Sequence, residues 1–80
     1  MPVVLRYKSY KFFFFSNEGN PRENPHIHVR SGSATAKIWL TPEVRLSSSY
    51  GLSSGELTEL ARITSENREL FERTWHEYFG

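Results

Sequence analysis

Eighty residues, a formal net charge of +1 and no cysteine exclude two separate cores, a disulfide scaffold and thiolate metal ligands. So mild a charge does not name a nucleic-acid partner; only its arrangement can argue for one. No apolar run approaches a membrane span and the N-terminus lacks a signal core, so a soluble, cytoplasmic single domain over 1–80 is expected, without membrane contact.

From the N-terminus, β-branched and aromatic residues interrupted by turn formers predict strands over 3–8, 10–16, 26–31 and 34–40, with a short fifth over 43–46. The turn near Lys8-Ser9 lacks the Asn-Gly signature of a tight hairpin. The stretch from Asn17 to Pro25 is dense in turn formers and predicts a loop that leads directly into His26. Ser31-Gly32-Ser33 predicts a compact turn, and Pro42 makes the segment after it an edge strand or irregular.

Ser53 followed by Glu56 fits a capping box, in which hydroxyl and carboxylate satisfy exposed backbone donors reciprocally. Leu57, Leu60, Ala61, Thr64, Phe71, Trp75 and Tyr78 then recur on one helical face. Thr64-Ser65 is a locally weak helix former, yet one continuous helix over 53–79 is expected. The predicted fold is α+β: a small, mostly antiparallel sheet of four to five strands with one C-terminal amphipathic helix packed on one face.

Strand alternation assigns the two faces. Val3, Leu5, Tyr7, Tyr10, Phe12, Phe14, Ile27, Val29, Ala34, Ala36, Ile38 and Leu40 form the face for the helix. Arg6, Lys8, Lys11, Phe13, Phe15, His26, His28, Arg30, Lys37 and Trp39 fall on the other. One helix cannot cover both, so the second face is cationic and interleaved with rings. Single-stranded nucleic acid asks for that combination, rings for bases and cations for phosphates. A protein partner or a second copy of the chain would also use an exposed aromatic patch.

Within Pro25-His26-Ile27-His28-Val29-Arg30, alternation stands two imidazoles and a guanidinium in a row, about 6.5 to 7 Å between successive members. Imidazoles titrate near neutral pH, so His26 and His28 can act as base and acid in phosphodiester cleavage, with Arg30 stabilising charge on the phosphorane. Two imidazoles can also share a metal ion, with Glu18 or Glu23 as a further ligand and His76 as a distant one. The plain alternative is that both histidines solvate the sheet and bond to the loop.

The segment from Tyr10 to Phe15, Ser16-Asn17-Glu18-Gly19, Pro25-His26-Ile27-His28-Val29, Ala36-Lys37-Ile38-Trp39-Leu40, and a closing helix with Glu66-Asn67, Phe71 and Trp75 resemble the bacterial domain-of-unknown-function family 4160. In that family a second proline commonly precedes the motif, where this chain has Asn24. Its members are often encoded beside another small protein, as in toxin–antitoxin modules. The resemblance therefore implies a toxin-like role and a cognate small antitoxin-like partner, and assigns no catalytic residue. The residues and the resemblance together lead to the expectation of a protein acting on RNA as a metal-independent ribonuclease, without cofactor or metal. His26, His28 and Arg30 are its catalytic candidates; Arg6, Lys11, Phe13, Phe15, Lys37 and Trp39 are its nucleic-acid-binding candidates. The alternatives are a non-catalytic protein-interaction or homodimer module and a His-x-His metal binder.

Overall fold

Alternation in the first part of the chain produces an antiparallel meander, and the capped amphipathic segment lies across one of its faces. In the computed structural model, which describes residues 3–15 and 23–79, the strands are β1 (Val3–Tyr7), β2 (Tyr10–Phe13), β3 (His26–Ser31), β4 (Ala34–Trp39) and β5 (Arg45–Tyr50). They lie in the order β1-β2-β3-β4-β5, every pair antiparallel. Two helices follow, α1 (Ser54–Glu66) and α2 (Arg68–Phe79). The α+β class and the antiparallel sheet agree with the sequence reading; the single helix does not. Residues 16–22, which hold the end of the expected second strand and the first part of the expected loop with Glu18, lie outside the described residues. None of the described helices is long and apolar enough to cross a membrane.

The helical layer breaks at Asn67, two residues beyond the expected weak point. Its side-chain amide donates to the Ile63 carbonyl at 2.9 Å, and its backbone at φ −113° leaves helical geometry. Thr64 stays inside α1 because its hydroxyl donates to the Leu60 carbonyl at 2.8 Å, which lets it be fully buried without an unsatisfied group. The break redirects α2, burying Phe71 and Trp75 while Tyr78, expected on the buried stripe, stands 45% exposed.

The core lies between the helices and one sheet face: Phe12, Phe14, Ile27, Val29, Ile38 and Leu40 pack with Leu60, Ile63, Phe71 and Trp75. Phe12 stacks on Phe71 with ring centroids 5.6 Å apart, and Phe14 meets Trp75 edge-on at 5.4 Å. Val3 departs from its expected face. A register shift between Val3 and Leu5 makes Val3 the partner of Phe13 and Leu5 the partner of Phe12, so the irregularity moves Val3 across the sheet.

Lys8 also leaves the face assigned to it. It occupies the turn at φ 54°, an uncommon backbone conformation for a residue with a Cβ, and its ammonium reaches Glu59 of α1 at 3.0 Å. Tyr7 donates to the same carboxylate at 3.0 Å. Tyr10 donates to Glu56 at 2.9 Å, while the other Glu56 oxygen accepts from the Ser53 backbone N–H at 2.9 Å. The capping box is therefore also a tie between helix and sheet. At the second tight turn Gly32 has φ +60°, which glycine adopts without penalty. β5 begins and ends later than expected: pairing with β4 carries strand structure through Ser47-Ser48-Ser49 to Tyr50 despite the weak strand preference of serine.

These ties set a pH dependence. The Ser53 backbone N–H, with Tyr10, holds the Glu56 carboxyl below the usual carboxylate range; Lys8, with Tyr7, does the same for Glu59. A carboxyl with a lowered folded-state pKa contributes stability above its unfolded pKa and loses it as pH falls through the folded one. The urea midpoint is therefore expected to drop on acidification from about pH 5 to 3. A Glu56→Gln, Glu59→Gln double variant should show a shallower drop. An equal drop in both proteins would assign acid sensitivity to other groups.

Candidate functional site

Strand register builds the open face as three parallel rungs. The first runs Arg6–Lys11–Arg30–Thr35–Tyr50, each residue opposite the next on the neighbouring strand. The second runs Phe13–His28–Lys37–Ser48, and the third His26–Trp39–Arg45. Strands are about 4.8 Å apart, so the three cations of the first rung form a row about 10 Å long. Arg6, Lys11 and Arg30 are all exposed, and among the described residues none of them joins an ion pair. Like charges directly opposite one another weaken a sheet. A row of three thus works against stability.

The second rung is ringed by aromatics. His28 lies over Phe13 with centroids 5.7 Å apart and meets Phe15 at 4.5 Å; the Arg30 guanidinium stands 5.8 Å from the Phe13 centroid. Phe13 is only 5% exposed, so it forms a floor rather than a free stacking surface. Above it opens a concavity of about 310 Å³ that brings together Phe13, Phe15, His28, Arg30 and Lys37 from the sequence candidates and Thr35, Ser48 and Tyr50 from outside them. Thr35 was legible by parity, one residue from Ala34 and Ala36. Ser48 and Tyr50 were hidden because the fifth strand was expected to stop at residue 46.

The third rung is closed. His26 is fully buried; its ring lies 4.9 Å from Trp75 and 5.3 Å from Trp39. His26 Nδ1 is 2.9 Å from the Asn24 carbonyl; a carbonyl can only accept, so Nδ1 carries the proton there. Burial keeps His26 from direct contact with a molecule on the open face, although its ring centroid is 5.2 Å from that of His28. It joins the loop end, the sheet and α2, and His28 is the imidazole that lines the concavity. Lys37 is committed as well: its ammonium pairs with Glu23 at 3.2 Å and lies 4.5 Å from the Trp39 centroid, covering part of a ring expected to stack on bases.

Among the described residues, no three His, Asp or Glu side chains come together as metal ligands, and Glu23 is turned to Lys37. His76, the distant ligand candidate, is exposed on α2. No curated protein and no solved structure matches the chain. Residues 9–76, which span β2 through most of α2, match the family described as domain of unknown function (DUF4160). The match takes in His26, His28 and all of the open face except its β1 edge, and the chain belongs to that family.

Proposed function

We propose that this chain binds single-stranded RNA on its open sheet face, in the manner of a toxin–antitoxin module component whose small partner covers that face. The observation that carries the reading is the Arg6–Lys11–Arg30 rung beside a ring-floored concavity. Exposed cations follow a phosphate backbone, and the Phe15 and Tyr50 rings that line the concavity above the Phe13 floor suit an unpaired base. If the bound strand is cleaved, His28 would be the group that acts. It would take the proton of the 2′-hydroxyl as that oxygen attacks phosphorus; the 5′-oxygen would leave, protonated by water, and a 2′,3′-cyclic phosphate would remain. Arg30 would stabilise the charge that builds on the phosphoryl oxygens.

A second reading is a protein-interaction or homodimer module. Every residue of β5 is exposed, and its unpaired edge offers backbone donors and acceptors to another strand.

The test is incubation of purified protein with fluorescent single-stranded RNA in excess chelator, alongside His28→Ala. Cleavage that survives chelation and disappears in the variant is the result expected of metal-free His28 chemistry. Binding without cleavage supports the RNA-binding reading alone. Absence of both, with a dimer that persists in high salt, would replace it with the second reading.

A further inference from the structure

We infer that the concavity is a subsite for one unpaired nucleotide that favours RNA over DNA, an inference that rests on the RNA-binding reading above. The space, about 310 Å³, is at the small end of ligand sites; it admits one nucleotide and no duplex. Its walls differ in chemistry. One side presents Phe15 and His28, and the other Thr35, Ser48 and Tyr50.

Tyr50 is 71% exposed at the end of an edge strand, and it makes no ring contact among the described residues. A large ring so placed adds little to the core and offers its face to a base. It also ends the rung that begins with the three cations. A strand of RNA whose phosphates follow Arg6, Lys11 and Arg30 arrives at Tyr50 without changing direction. By strand parity Thr35 and Ser48 project to the same face, and neither hydroxyl has a hydrogen-bond partner among the described residues. A hydroxyl both donates and accepts, which suits the ribose 2′-hydroxyl that DNA lacks. Uncharged hydroxyls, Thr35 opposite Arg30 and Ser48 opposite Lys37, thus add the discrimination that a cationic row alone cannot provide.

The experiment compares a short fluorescent oligouridylate with its deoxy counterpart by anisotropy. The proteins are wild type, Tyr50→Ala, Tyr50→Phe, and Thr35→Val combined with Ser48→Ala, each checked for folding by thermal melting. Wild type is expected to prefer the RNA. Tyr50→Ala should weaken RNA binding about 10-fold or more, whereas Tyr50→Phe, which keeps the ring, should bind within about 2-fold of wild type. The hydroxyl variant should lose the preference for RNA while its affinity for the deoxy strand holds. RNA affinity unchanged in Tyr50→Ala, or equal wild-type affinity for both strands, would overturn the subsite and leave the RNA-binding reading standing. Failure of wild type to bind either strand would overturn both.

Discussion

Replacing Arg6, Lys11 and Arg30 together with glutamine is expected to remove most of the salt-dependent affinity for single-stranded RNA. Each phosphate contact on a single strand contributes about 0.7 to the slope of log affinity against log salt. Three contacts give a slope near −2, so wild type should lose about 15- to 20-fold in affinity between about 50 and 200 mM salt. The triple variant should lose far less over the same range. Its folding stability gives an independent reading. The three cations face one another across β1, β2 and β3 and are exposed, so neutralising them relieves repulsion. The urea midpoint should stay level or rise. A variant that binds as wild type does, with the same salt slope, would show that the rung is only a solvated surface.

The largest effect on stability is expected at Phe71. It is fully buried, as is Phe12, on which it stacks, and it is the first buried residue of α2. Phe71→Ala should cost about 3–5 kcal/mol. A domain of this length has a total stability on the order of 4–12 kcal/mol. Thermal melting followed by circular dichroism should show Tm lowered by about 12 °C or more. A loss under about 1 kcal/mol would mean that the space collapses without consequence and that α2 is not held by this contact.

Much of the architecture was legible because period-two alternation and the Ser53–Glu56 cap are local signals. They located four strands to within a few residues and the start of the helical layer. They also separated the ring-bearing basic face from the apolar one. What escaped depends on contacts distant in sequence. The register shift before Leu5 reverses the side on which Val3 lies, and nothing in Val3-Val4-Leu5 announces it. Lys8 turns to the helix because Glu59 waits there, more than fifty residues later. Tyr50 was out of reach because serines rarely predict a strand, and β4 rather than local preference holds Ser47-Ser48-Ser49 extended. For the candidate site, spacing put His26 and His28 side by side, but it could not show that α2 would deliver Trp75 against one of them. Exposure, more than spacing, distinguishes the two imidazoles.

The meander order has a consequence for how the chain is made. Each strand pairs only with its neighbours in sequence, so the sheet forms through short closures at Lys8-Ser9 and Gly32-Ser33, with a longer connection between Phe13 and His26. Local pairing of this kind speeds assembly relative to sheets with distant partners. The helices that shield Phe12, Ile27, Ile38 and Leu40 follow all five strands in sequence. During synthesis the completed sheet must therefore wait with a bare apolar face until α1 and α2 leave the ribosome. That interval, rather than the finished fold, is when this protein is most open to chaperones and to aggregation.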